Sequence, residues 1–119
     1  MIKTYGLTHI SLNVRDIDTA YNFYNNVFGV VEYFRDENSI HASTPGTNDV
    51  ITFVKGIKPD NDGINHFGFR LIDPKDINDA AGEIEKAGGK IIEQGEFAPS
   101  VPYLYATDPD GYVIEVWYE

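Results

Sequence analysis

The 119-residue chain contains no cysteine, so it has neither a disulfide framework nor a thiol nucleophile. No apolar run approaches the ~20 residues that a membrane-spanning helix needs, and the first residues, Met1-Ile2-Lys3-Thr4-Tyr5, show no apolar signal region. A soluble, cytoplasmic protein without a membrane partner is the expectation. Basic residues are also scarce: Lys and Arg total 9 against 19 Asp and Glu, a formal net charge of −10. Such a field repels phosphate backbones and anionic lipid, so nucleic acid is not an expected partner, and any long-range preference favours cations.

What is present is the makings of one ordinary domain. At 42% hydrophobic and 24% charged residues the composition is globular, and a chain of this length buries roughly two thirds of its unfolded surface.

The chain also reads as one unit written twice. Leu7-Thr8-His9-Ile10-Ser11-Leu12-Asn13-Val14 opens the first half and Ile64-Asn65-His66-Phe67-Gly68-Phe69-Arg70-Leu71 the second. Each opening is followed by a helix-like stretch and then by a closing apolar run, Val50-Ile51-Thr52-Phe53 or Val113-Ile114-Glu115-Val116. Duplication with polar groups at matching positions predicts a site built on a pseudo-twofold axis.

Within the openings, period-two alternation puts His9, Ser11 and Asn13 on one face and Ile10, Leu12 and Val14 on the other. In the second copy His66, Gly68 and Arg70 oppose Phe67, Phe69 and Leu71. The first helix is expected after an N-cap at Asp16 to Asp18, with a stop at Gly29. The second is expected from Asp73-Pro74 to Gly88-Gly89. Short strands are expected at residues 30–35, 39–42, 50–54, 90–93, 101–107 and 113–118, with a polar, turn-rich link at 55–63. The fold class is therefore α+β. Two βαβββ modules, about residues 5–55 and 63–118 of a single 1–119 domain, form a curved, antiparallel-rich sheet around a cavity with the helices on the outer face.

Glu115 alternates with Val113 and Trp117, a poor set for a wet surface, which predicts a carboxylate in a partly dry concavity. Two imidazoles and one carboxylate on separate strands match a facial triad that leaves coordination positions open. His9, His66 and Glu115 are thus expected to bind one divalent ion, iron(II), manganese, nickel, cobalt or zinc. The position equivalent to Glu115 in the first half is Thr52, so three protein ligands are expected, with water or substrate completing the shell. His41, on a short edge-like strand with no counterpart in the second half, is read as an ordinary residue.

The motifs THISLNV, the Phe23-Tyr24 helix ending in Phe28-Gly29, NHFGFR, AGG and DPDGYVIEV resemble the vicinal oxygen chelate superfamily, over about residues 5 to 118. This superfamily groups glyoxalase I, extradiol dioxygenases, fosfomycin resistance enzymes and bleomycin resistance proteins. The resemblance implies a homodimer, metal ligands at His9, His66 and Glu115, and a small-molecule substrate with vicinal oxygens, handled by lyase, isomerase or ring-cleaving dioxygenase chemistry. It also implies that the first histidine and the other two ligands come from different subunits in many short members. Tyr105 matches a tyrosine of the fosfomycin enzymes and, with Glu115, is the expected catalytic pair. Ser11, Thr52, Arg70, Tyr103 and Trp117 are expected to line the substrate site. Glyoxalase I carries Glu or Gln at the position of Thr52, and threonine cannot serve as the proton-transfer base. A metal-free, dimeric drug-binding protein of the bleomycin resistance type is the alternative.

Overall fold

The computed structural model describes residues 1, 3, 5, 7–60 and 63–118. Parts of the N-terminal stretch and of the expected 55–63 link therefore lie outside the described residues. The chain divides into two compact units, Met1–Lys58 and Pro59–Glu119.

In unit one, β1 (His9–Val14) leads into α1 (Ile17–Phe28), followed by β2 (Val31–Arg35), β3 (Ser39–Ser43) and β4 (Val50–Lys55). Helix α1 starts where the sequence predicts. The Asp16 carboxylate accepts the Thr19 amide at 2.8 Å, and Gly29 ends the helix in the left-handed region at φ 71°. Its buried residues Ala20, Phe23 and Tyr24 face the sheet, where the Tyr24 ring lies 5.2 Å from Phe53. Phe53 is fully buried, and truncating such a ring costs about 3–5 kcal/mol.

The sheet order is β1-β4-β3-β2, with β1 parallel to β4 and the other pairs antiparallel. The meander β2-β3-β4 thus returns its last strand alongside the first. Alternation holds along β1, where Leu12 and Val14 are buried while His9, Ser11 and Asn13 are exposed.

Unit two repeats this plan with β5 (Phe67–Arg70), α2 (Ile77–Lys86), β6 (Lys90–Ala98), β7 (Val101–Thr107) and β8 (Val113–Trp117) in the order β5-β8-β7-β6. Asp73 caps a single 3-10 turn, Pro74–Asp76, through the Lys75 amide, and α2 follows directly. Strand β6 runs to Ala98, well beyond the expected end at Glu93. The polar stretch Gln94-Gly95-Glu96 lacks the apolar alternation of a buried strand, yet its backbone pairs with β7 up to Ala98↔Val101. Cross-strand hydrogen bonding, which hydropathy does not report, holds it there.

The β7–β8 turn is built on Asp108. It is only 4% exposed and accepts the Asp110 and Tyr112 amides at 2.9 Å each, while Gly111 supplies φ 90°. This turn aims β8, and with it Glu115.

Candidate functional site

On unit two, strand pairing places Glu115 between Gly68 on β5 and Tyr105 on β7. His66, just ahead of β5, brings its Nε2 to 3.2 Å from Glu115 Oε2. The glutamate side chain is only 13% exposed, so its charge stands largely out of water. The Tyr105 ring packs near-perpendicular to the His66 ring at 5.1 Å. Burial, and then a hydrogen bond to Glu115 together with that carboxylate's charge, raise the Tyr105 phenol above its usual pKa. The phenol is thereby kept as a proton donor.

Glycine is required at position 68. A Cβ there would lie 2.8 Å from the Glu115 carbonyl oxygen and 3.3 Å from its Cβ. The close approach lets β5 and β8 pair at the level of the carboxylate.

A partner absent from the sequence expectations holds the His66 ring: Asn65 Oδ1 lies 2.6 Å from His66 Nδ1. An amide oxygen only accepts, so Nδ1 is the donor in this contact and Nε2 is left facing Glu115, as a lone pair in the neutral ring or as a second N–H in the charged one. Two lone-pair atoms 3.2 Å apart repel unless a second ring proton or a metal cation stands with them. Cis ligands of an ion at about 2.1 Å lie roughly 3 Å apart, so this pair fits two corners of a metal site.

The other expected residues of this face form an aromatic row. Arg70 stacks over Trp117 at 5.7 Å, Tyr103 lies 5.6 Å from Tyr105, and Phe97 stacks flat on Tyr103 at 4.1 Å. Burial and the neighbouring Glu93 raise the Tyr103 phenol as well. Phe97 escapes sequence reading because it lies on the unexpected extension of β6.

On unit one, His9, Ser11 and Thr52 line one cavity of about 420 Å³ together with Thr8, Tyr33, His41 and Val50. Thr8 Oγ1 lies 2.7 Å from His9 Nδ1, as Asn65 does for His66. Each candidate histidine is thus preceded in sequence by its own anchor, a signal that the repeat already carried.

His41 requires a correction. Strand β3 lies inside its sheet, and His41 pairs opposite Thr52 as Tyr105 pairs opposite Glu115, so His41 does have a counterpart in the second half. The equivalence is hidden in sequence because it depends on register. Among the described residues, neither unit gathers three His, Asp or Glu side chains of its own into one metal site.

Comparison with known proteins agrees with this repeated architecture. The probable trivalent organoarsenical cleaving enzyme of Bacillus subtilis (strain 168) is 29% identical over 117 residues, covering 92% of this chain and 77% of the relative. The probable lactoylglutathione lyase of Vibrio cholerae serotype O1 is 27% identical over 127 residues, covering 97% and 91%. A crystal structure of a mutant fosfomycin resistance protein, FosX, from Listeria monocytogenes, complexed with Mn(II) and 1S,2S-dihydroxypropylphosphonic acid, shares the fold. It has a TM-score of 0.82 at 20% identity and covers 96% of this chain and 90% of that one. The family model of the glyoxalase/bleomycin resistance protein/dioxygenase superfamily matches residues 6–116. With two βαβββ units and that match spanning nearly its whole length, the chain belongs to the glyoxalase/bleomycin resistance protein/dioxygenase superfamily.

Proposed function

We propose that the protein is a metal-dependent enzyme acting on a small molecule with adjacent oxygens, with His66, Glu115 and His9 as ligands of one divalent ion. The observation that carries this reading is the His66–Glu115 contact, in which an anchored imidazole turns its Nε2 to a largely buried carboxylate. A bound ion would supply Lewis acidity to the chelated oxygens, or dioxygen activation if it is iron. Tyr105, hydrogen-bonded to Glu115, is the proton donor to a substrate oxygen, and Arg70 with Trp117 borders the site. His9 enters as third ligand by its matching place in the repeat and by its own anchor, Thr8.

Thr52 offers no carboxylate, which disfavours glyoxalase chemistry that needs a second acid for proton transfer. Trivalent arsenic is a soft centre that prefers thiolates, and the chain has no cysteine, which favours an oxygen-chelating substrate over an organoarsenical. We take the working form to be a homodimer. Exposed Val31, Tyr33 and Phe34 on the edge strand β2, and Ile92 and Phe97 on the edge strand β6, support a covered surface. Among the described residues no helix is long and apolar enough to cross a membrane.

The test is elemental analysis of protein purified without chelator or histidine tag, then reloaded with iron(II), manganese, nickel, cobalt or zinc. About one ion per chain, lost in Glu115→Ala, is expected, and substrate screening then begins with diols, catechols and hemithioacetals. No uptake of any ion overturns the proposal and leaves the metal-free ligand-binding reading.

A further inference from the structure

Acidic residues make up 19 of 119 positions, yet among the described residues none lines the cavity of unit one. Its polar groups are the imidazoles of His9 and His41 and the hydroxyls of Thr8, Ser11, Thr52 and Tyr33. Every one of these can donate a hydrogen bond, and none carries negative charge at neutral pH. The corresponding face of unit two is the opposite case, since Glu115 stands where unit one has Thr52 and Glu93 pairs with Tyr105. The two repeats have diverged into one face that carries carboxylates and one that offers hydrogen-bond donors.

The donors of unit one are arranged across three adjacent strands. Ser11 on β1 pairs with Thr52 on β4, which pairs in turn with His41 on β3. A register shift between Glu32 and Phe34 then re-aims the next strand. Phe34 pairs with His41, and Tyr33, the extra residue of the bulge, turns to the same imidazole. The His41 ring therefore stands near-perpendicular to both, at 5.0 Å from Phe34 and 6.1 Å from Tyr33. Those rings flank the imidazole on the strand beside it. Tyr33 and Val50 add apolar wall to the cavity, whose volume of about 420 Å³ suits a small organic molecule.

We propose that this cavity is a subsite for the anionic oxygens of a small organic acid, bound by His41, Ser11 and Thr52 with its apolar body against Tyr33 and Val50. The proposal deepens the small-molecule reading above by giving the substrate a charge, and it does not depend on metal binding. It also runs against the direction of the overall charge. The −10 of the chain acts at long range and is screened within about 8–10 Å at ordinary ionic strength, whereas direct donor contacts act at 3 Å.

The experiment uses the full chain stripped of metal with chelator, followed by amide NMR. Benzoate is the probe, and benzyl alcohol and benzylamine are its neutral and cationic counterparts. Benzoate should shift the amides of Ser11, Tyr33, His41 and Thr52 saturably and bind at least fivefold more tightly than either counterpart. His41→Gln should weaken benzoate about fivefold and leave benzyl alcohol unchanged. Where His41→Gln does not give a native spectrum, Thr52→Val provides the same comparison. Benzylamine binding as tightly as benzoate, benzoate shifts that map elsewhere, or a natively folded variant with unchanged benzoate affinity would each overturn the proposal. Because the protein is metal-free throughout, failure to take up metal in the earlier test and failure to bind benzoate here are separate results.

Discussion

Nε2 of His66 lies 3.2 Å from Oε2 of Glu115, a contact between the residue just ahead of β5 and the middle of the neighbouring strand β8. One is placed by a sequence neighbour and the other by a strand far away in the chain. The Asn65 amide sets the imidazole, and the β5–β8 register sets the carboxylate.

Removing either member should abolish metal binding. Glu115→Ala and His66→Ala are both expected to fall from about one ion per chain to none. Glu115→Gln, which keeps the shape and loses the charge, should retain only weak binding. Elemental analysis of the three variants after equal loading checks this, and parental stoichiometry in all three would remove the pair from the site.

Asn65→Ala leaves every proposed ligand in place and frees only the ring of His66. Loss of such an anchor typically lowers metal affinity 10–100-fold. Competition against a calibrated chelator gives the number, and an unchanged affinity would mean that the ring is oriented by Tyr105 instead.

Gly68→Ala puts a Cβ within 2.8 Å of the Glu115 carbonyl oxygen. The β5–β8 pair must separate or shift, at an expected cost of about 1–3 kcal/mol in stability. Denaturant midpoints, read beside metal content, should both fall. A variant with parental values of each would show that the strands have room to spare.

Asp108→Ala removes the acceptor of two backbone amides in a buried turn. An unsatisfied buried donor costs about 1–3 kcal/mol, so a clear drop in unfolding midpoint is expected. Asp108→Asn, which retains one acceptor oxygen, should recover much of it.

Asp49 links stability to acid. Partial burial alone would raise its pKa, but hydrogen bonds from the Thr44 amide and from the Thr47 and Thr44 hydroxyls outweigh burial and hold it below its ordinary value of 3.8. A carboxylate depressed on folding contributes stability above its unfolded pKa and loses it as pH falls through the folded one. Asp49→Asn should therefore lose stability relative to the parent at neutral pH, and the difference should shrink as pH drops below 3.8. A pH-independent difference would assign the effect to packing.

The sequence by itself determined the repeat, the helices and the faces. Helix limits follow from groups one turn away, Asp16 with Thr19 and Gly29 at its positive φ, and the exposed set His9, Ser11 and Asn13 follows from alternation along one strand. These are interactions between near neighbours in the chain, so residue order encodes them directly. Only the tertiary structure decided which residues meet across strands. It extended β6 to Ala98, seated Phe97 on Tyr103, and made His41 the counterpart of Tyr105. Register and bulges arise from backbone pairing between segments far apart in sequence. A one-residue shift turns every side chain to the opposite face, and hydropathy alone does not fix that shift.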